Sequence, residues 1–358
     1  MTANSSPLGS TPPQSRAFWR LELAEMTRLG APIVFTQLAW VAMLTTDTAM
    51  IGRLGPDALA GASLSLMVFF MTWVFCFGVV IATAALASQA FGARKPRMIR
   101  RVIRQGFWVT VILTVPAMIA FQYTPDLLRV LSQPPDILPH ADAYMSTLMW
   151  SLMPSIGYAV VRNFISSLNR PAPALWVMLA GVPLNGLLDY ALIFGNFGLP
   201  RLELVGAGIA TSIINWLMFL VLLAIAVFAK PFRRYGILGR FWRSDWFQFR
   251  QIFRIGLPIA AMSMLEAGFF FSSIFIVGQF GAHAIAATMI ALQMPHITFM
   301  VPMGLGQAAT VRVGQAVGRR DVRGAYRSGW VALSIALAFM SVMTAIVLAI
   351  PQTFASIY

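Results

Sequence analysis

Nine stretches of the chain are apolar over about twenty residues or more, and charged residues, prolines and glycines collect between them. A helix of about 20 apolar residues crosses roughly 30 Å of hydrocarbon, so the pattern predicts nine membrane spans. They cover residues 30–52, 57–91, 104–122, 141–166, 172–195, 205–229, 253–278, 284–312 and 326–350. The second is long enough to tilt or to project beyond a bilayer, with Gly78 as a bend. Pro154 and Pro183 fall inside the fourth and fifth. The expected fold class is an all-α polytopic membrane protein.

The apolar pattern repeats. The stretch 29–55, LGAPIVFTQLAWVAMLTTDTAMIGRLG, is echoed 226 positions later by 255–281, IGLPIAAMSMLEAGFFFSSIFIVGQFG. At that spacing Gly30 falls on Gly256, Pro32 on Pro258, Ile33 on Ile259, Gly52 on Gly278 and Gly55 on Gly281. Gly78 then falls on Gly304, Ala82 on Ala308, Gln89 on Gln315, Ala90 on Ala316 and Gly92 on Gly318. A match without gaps over so long a stretch argues for a duplicated unit. Six spans separate the copies, so both keep the same orientation, as in transporters built of parallel repeats. The expected organisation is a cytoplasmic tail (1–20), an N-lobe of six helices (21–230), a cytoplasmic interlobe loop (231–252) and a partial C-lobe of three helices (253–358). On this reading the second copy stops after its third helix, so about nine spans are present of twelve expected.

Composition fixes the solvent. The chain is 58% hydrophobic and 11% charged, against about 25% charged in soluble domains. The net charge of +14 would suit nucleic acid, but its distribution points elsewhere. Of the 26 basic residues, 23 fall on alternate sides of the expected spans, and only Arg53, Arg129 and Arg201 fall on the other. That reckoning counts Arg162 and Arg170 together as the basic residues between the fourth and fifth spans. Such a bias places the N-terminus and these segments in the cytoplasm and predicts no nucleic-acid partner. The single cysteine, Cys76, lies in an apolar run and reads as a buried thiol. The three histidines make no metal-binding spacing; His283 reads as an outer loop residue, and His296 as a packing residue.

Polar groups deep in the spans carry the candidate chemistry, because a charge at the bilayer centre costs about 2.5–3.5 kcal/mol on insertion scales. Asp47 lies in the first span. Asn185 and Asp189 in the fifth, and Thr211 and Asn215 in the sixth, are each four apart and share a helix face. Asp47 and Asp189 both lie about 17 residues in from the cytoplasmic face, roughly 25 Å at 1.5 Å per residue. Thr211, approached from the other face, reaches a similar level. Two carboxylates, an amide oxygen and a hydroxyl suit a small hard cation, Na⁺ among them, and two close carboxylates also suit a proton. Plainer roles exist: Asp47 can cap a helix or pair with Arg53, and Asn185 and Thr211 can serve as interhelical hydrogen-bond partners. Glu266, near the middle of the seventh span, has no neighbouring charge in sequence. No nucleophile–base pair or metal motif appears, so no enzyme and no cofactor are expected.

The chain resembles the multidrug and toxic compound extrusion (MATE) family, in particular its NorM-like bacterial branch. The resemblance runs from about Arg20 onwards. It rests on LGAPI…TDTAMIGRLG, GVPLNGLLDYALIFG, LVGAGIATSI, IGLPIAAMSMLE and VPMGLGQAATVRVGQAVGRRD, in that order. It implies a twelve-helix antiporter with two lobes around a central cavity, exporting organic, mostly cationic compounds in exchange for Na⁺ or H⁺. Asp47, Asn185, Asp189 and Thr211 match the family's N-lobe cation site, and Glu266 matches the carboxylate that NorM-like members carry in the seventh helix. The implied setting is the bacterial inner membrane, the implied partners are a small organic substrate and the bilayer, and a monomer is expected. A lipid-linked oligosaccharide flippase of related architecture, which would line its cavity with more cations, and a non-transporting remnant are the alternatives.

Overall fold

The computed structural model describes residues 16–131, 134–198, 200–239, 242, 245–278 and 282–349. Among them all regular structure is helical. In order these are α1 (Arg16–Gly52), α2 (Pro56–Val80), α3 (Ala82–Gly92), α4 (Pro96–Phe121), α5 (Thr124–Val130), α6 (Leu138–Leu148), α7 (Leu152–Ser167), α8 (Ala172–Phe194), α9 (Glu203–Phe228), α10 (Trp246–Gly278), α11 (Ala282–Gly318) and α12 (Val322–Ala349). Short 3₁₀ turns lie at Met149–Ser151 and Phe232–Tyr235.

Proline sets several of the starts. It occupies the first turn of α2, α4, α5, α6 and α8, where its fixed φ is already helical and its missing N–H would have had no partner. Gly195, at φ 73°, ends α8 in the left-handed conformation that a side chain resists. Inside the helices, hydroxyls turn back on the backbone. Thr36 Oγ1 donates to the carbonyl of Pro32 at 2.7 Å, and Thr45, Thr110 and Thr114 do the same one turn back. In an apolar surround a hydroxyl has no cheaper partner.

Among the described residues, seven helical stretches are long and apolar enough to cross a membrane: 19–52, 56–92, 96–121, 172–194, 203–228, 246–270 and 322–349. The expected fourth span is two helices, α6 and α7, joined by the turn at Met149–Ser151. The expected eighth is α11, and the side chains of His283 and His296 on it lie outside those described. The expected second span breaks at Ile81 into α2 and α3, three residues beyond the glycine suspected of bending it. There Thr83 Oγ1 donates to the carbonyl of Val80 at 2.7 Å, and Asn163 Nδ2 reaches the same carbonyl at 3.4 Å, so the released acceptor is satisfied by side chains. Other boundaries move outward. α1 reaches back to Arg16 inside the expected tail, α10 begins at Trp246 inside the expected interlobe loop, and α4 begins at Pro96, which takes Arg97, Arg100, Arg101 and Arg104 from loop into helix. The helix α5 was not expected.

The largest apolar core joins α2, α3, α4 and α7 with parts of α9 and α10, through fully buried residues such as Leu86, Ile103, Leu152, Ile156 and Phe164. A second cluster, Met26, Leu29 and Ile33 with Ala308, Val311, Val331 and Ala332, fastens α1 to α11 and α12.

The contacts between the first and second stretches of the repeat are reciprocal. A Cβ built on Gly30 would lie 3.1 Å from Leu305, and one on Gly256 would lie 2.2 Å from the Val79 carbonyl; Val79 and Leu305 are themselves 226 apart. Gly78 meets Ala260, and Gly304 meets Val34. Gly92 meets the Gln315 carbonyl, and Gly318 meets the Gln89 carbonyl. Finally, Gly314 meets Ser88, its own counterpart: a Cβ built on Gly314 would lie 2.9 Å from that of Ser88. Residue i against j together with j against i is what a local two-fold axis produces, and a residue facing its own counterpart lies on that axis. The close approach of α1 to α11, α2 to α10 and α3 to α11 needs glycine, because any side chain would strike backbone.

Candidate functional site: a carboxylate pair beside an aromatic cavity

Three helices bring four of the expected site residues together. α8 packs against both α1 and α9. Asn185 and Asp189, one turn apart on α8, face Asp47 on α1. Asn185 Nδ2 donates to Asp47 Oδ1 and, at 2.8 Å, to Asp189 Oδ2. One amide thus bridges both carboxylates. Thr211 Oγ1, on α9, lies 3.0 Å from the Ala207 carbonyl and 3.5 Å from Asp47 Oδ2. Its single proton serves one of them at a time, and the lone pairs of the hydroxyl oxygen remain to be offered. Asn215, one turn further on, donates to the Thr211 carbonyl at 2.8 Å.

Most of this cluster is buried. Asn185 and Asp189 are fully buried and Asp47 is 6% exposed. The Oδ1 atoms of Asn185 and Asp189 are buried without a hydrogen-bond partner. Two orphaned oxygens, one of them on a carboxylate of the pair, cost several kcal/mol unless a cation or proton satisfies them. The donor set, all oxygen, suits a hard monovalent cation or a proton and not a soft metal. Among the described residues no group of three or more His, Cys, Asp or Glu side chains forms a metal site.

Asp47 and Thr211 open on a cavity of about 370 Å³, lined also by Tyr144, Trp40, Trp73 and Asn215. Trp40, Trp73 and Asn215 line in turn a second cavity of about 420 Å³. A stack of rings forms the shared wall. Trp40 and Trp73 lie 5.5 Å apart at 13°, and Trp73 and Phe77 lie 4.8 Å apart at 6°. Met178, Met218, Met300 and Met303 supply much of the remaining apolar lining. Flexible thioethers fit themselves to ligands of varied shape.

Glu266 is not part of the cluster. It sits on α10, exposed, on the wall of the second cavity. Arg162 was missed as a site residue. The sequence counts it among the basic residues between two spans, whereas in the structure it lies inside α7, 6% exposed, on the wall of the same cavity as Glu266. The available signal was its position within the expected fourth span. Gln37, which accepts from Arg162 Nη1 at 3.0 Å, and Tyr144 were missed as well.

The MatE family model matches residues 32–191 and again 258–358, and the two matches begin 226 positions apart. The chain belongs to the MatE family. It is therefore a multi-pass membrane transporter and not an enzyme. It is 45% identical over 360 residues to a probable multidrug resistance protein NorM of Rhodopseudomonas palustris, covering 99% of this chain and 76% of that protein. It is 44% identical to the probable NorM of Bradyrhizobium diazoefficiens over 323 residues, 90% of this chain and 69% of that protein. Among solved structures, a eukaryotic MATE transporter superposes with a TM-score of 0.85 at 20% identity, over 95% of this chain and 75% of its own. A transporter of the MOP superfamily from Pyrococcus furiosus gives 0.84 at 22%, over 94% and 74%. At these identities the structural likeness establishes the fold alone.

Proposed function

We propose that this MatE-family protein is a secondary active antiporter that exports organic, mainly cationic compounds across the bacterial inner membrane in exchange for Na⁺ or H⁺, with its N-terminus in the cytoplasm. The observation that carries this reading is the Asn185 bridge between Asp47 and Asp189, in a largely buried cluster of carboxylate, amide and hydroxyl groups on the wall of an aromatic cavity. The probable NorM relatives support drug export as the activity.

In this reading Asp47, Asn185, Asp189 and Thr211 hold the coupling ion. Asn185 holds the carboxylates together through its single amide group. An entering Na⁺ or proton satisfies the orphaned oxygens and pulls the carboxylates toward itself, which moves α1 against α8. Trp40 lies on α1, two turns from Asp47, and lines both cavities, so this movement reshapes the place where the cargo's rings lie. Ion and cargo then exclude one another, which is the differential affinity that exchange requires. Glu266 supplies a carboxylate for a cationic cargo in the second cavity. Among the described residues, α1 meets the second half through Glu22 with Arg312 and through Gln37 with Met303.

Ethidium efflux from cells expressing the chain tests the reading, together with Asp47→Asn and Asp189→Asn. Each variant is expected to reach the membrane in normal amount and to lose ion-driven efflux. Full efflux by Asp47→Asn would overturn the assignment. Imposing a Na⁺ gradient or a pH gradient separately on proteoliposomes identifies the ion.

A further inference from the structure

A third cavity, of about 470 Å³, lies where α3 and α11 end against one another. Gly92, which meets the Gln315 carbonyl across the halves, is part of its wall. Three separate parts of the chain close around it. The turn from α3 into α4 brings Arg94 and Lys95, the 3₁₀ turn between the halves brings Arg234, and the end of α11 brings Arg319. Tyr235 supplies a buried ring, over which the Arg234 guanidinium lies at 5.0 Å. Among the described residues no carboxylate lines this cavity, and none lies within ion-pair distance of its four cations. Four like charges around one hollow repel each other, and an anion in it relieves all four at once.

The repeat shows that the fold does not force this pattern. Ala93, Arg94 and Lys95 have Arg319, Arg320 and Asp321 as their counterparts 226 positions on. The two turns share one backbone. Arg94 and Arg320 have φ of 55° and 61°, and the N–H groups of Lys95 and Asp321 each donate at 2.9 Å, to the carbonyls of Ala90 and Ala316. Their charges differ. Asp321 Oδ1 accepts from the Gly324 N–H at 2.8 Å and so caps α12. Lys95 stands in that place before α4, which has no side-chain cap. The first half therefore carries a cation where the same turn accommodates a carboxylate.

We propose that this cavity binds a phosphate group, and that the group belongs to the headgroup of an anionic phospholipid. The inference rests on the orientation proposed above but not on what is exported. In that orientation α3 and α11 end at the cytoplasmic face, at the level of the headgroups, where basic pockets between membrane helices suit anionic lipids. The stretch joining the halves also exposes Trp242, Trp246 and Phe247, rings of the kind that seat at the membrane–water interface. The apolar surface of Phe91 and Ile99 beside the cations suits the glycerol and first acyl carbons, which a free phosphate lacks. A lipid held there touches both halves and the segment between them, so it favours the arrangement in which this end is closed.

The test uses the purified full chain in an uncharged detergent and reads its thermal unfolding midpoint. Dioctanoyl phosphatidylglycerol, dioctanoyl phosphatidylcholine and inorganic phosphate are titrated separately. Phosphatidylglycerol is expected to raise the midpoint to a plateau, and the other two to move it little. Lys95→Gln and Arg319→Gln should each weaken half-saturation about fivefold, the share of one basic residue facing anionic lipid. Arg53→Gln, in the turn between α1 and α2, removes the same charge elsewhere and should change nothing. Equal stabilisation by the two lipids overturns the site, and needs no variant. A phosphatidylglycerol effect undiminished in the Lys95→Gln, Arg319→Gln double variant overturns it as well. Should that variant fail to fold, Arg234→Gln, whose side chain is exposed, supplies the same comparison. Stabilisation by inorganic phosphate as strong as by phosphatidylglycerol overturns the lipid in favour of a soluble anion. No cargo and no ion gradient enter the assay, so its failure and that of the export reading are separate results.

Discussion

Ser88 on α3 lies directly against Gly314 on α11, the residue 226 positions further along the chain. Around this pair, on one side and the other, Gly92 faces Gln315 and Gly318 faces Gln89, each glycine meeting a carbonyl. The halves therefore touch backbone to backbone at this end of the bundle, in a seam that no side chain can enter.

A side chain placed in the seam should push the halves apart. The Cβ of Gly318→Ala would lie 2.1 Å from the Gln89 carbonyl oxygen, and overpacking of this kind costs about 1–3 kcal/mol. Thermal unfolding in detergent is expected to fall by several degrees. Gly306→Ala, where nothing lies within 4 Å of the new methyl, serves as the control and should be neutral or slightly stabilising, because alanine favours helix. Equal losses from both substitutions would mean that the seam is not under steric constraint.

The bidentate pair between Arg312 and Glu22 is a second fastening between the halves. Arg312 Nη2 and Nε donate to the two carboxylate oxygens at 2.7 and 3.1 Å, and Ser328 Oγ donates to one of them at 2.6 Å. The side chains are only 12% and 17% exposed. Glu22→Gln should therefore cost on the order of 2 kcal/mol, the value of hydrogen bonds to a charged group. A double-mutant cycle with Arg312→Met isolates the pair, and a coupling below about 0.5 kcal/mol would show that it is worth no more than an exposed surface pair.

Removing the bridge between the carboxylates should uncouple the cluster without unfolding it. Asn185→Leu keeps the branched shape, with bulkier ends, and deletes the amide that holds Asp47 to Asp189. Export is expected to fall at least tenfold while the amount of folded protein in the membrane changes little. Unchanged transport would mean that the carboxylates work independently of the amide.

The ring stack should carry much of the affinity for aromatic cargo. Trp73 touches Trp40 and Phe77 in near-parallel stacking, a geometry worth about 0.5–1.5 kcal/mol beyond area alone. Trp73→Ala is expected to raise the dissociation constant for rhodamine 123 about tenfold, and Trp73→Phe to raise it much less. The fluorescence of the purified protein on titration with the dye reads this directly.

The only cysteine is expected to be silent. Cys76 is 1% exposed inside α2. A maleimide should not label it without denaturant, so single cysteines can be introduced elsewhere with no further change. Rapid labelling of the native protein would mean that α2 opens.

The cluster of Asp47, Asn185, Asp189 and Thr211 was legible because each element of it is local. The i,i+4 spacing puts Asn185 and Asp189 on one face, and counting residues from the membrane edge puts three helices at one depth. Arg162 was not legible. Its place depends on packing of α7 against residues of α1 and α2 more than eighty positions away, and the alternation of basic residues assigned it to the cytoplasmic edge. The break at Ile81 was half visible. Gly78 marked the neighbourhood, but that glycine serves the close approach to Ala260, while the interruption itself rests on hydrogen bonds from Thr83 and the distant Asn163. The division of the expected fourth span into α6 and α7 left no mark in a hydropathy pattern, because the residues of the 3₁₀ turn are as apolar as their neighbours.

The self-facing pair of Ser88 and Gly314 has a consequence for how such a chain can change. At every other point of the seam, a substitution and its counterpart act at two separate places, and either can be compensated locally. On the axis both fall at the same place. If each side carried serine, two hydroxymethyl groups would compete for one gap, and the present arrangement gives that gap to one of them. A fused duplicate can hold two different residues there, which two identical separate subunits never could, so this position is where joining the copies into one chain opens a solution closed to a homodimer.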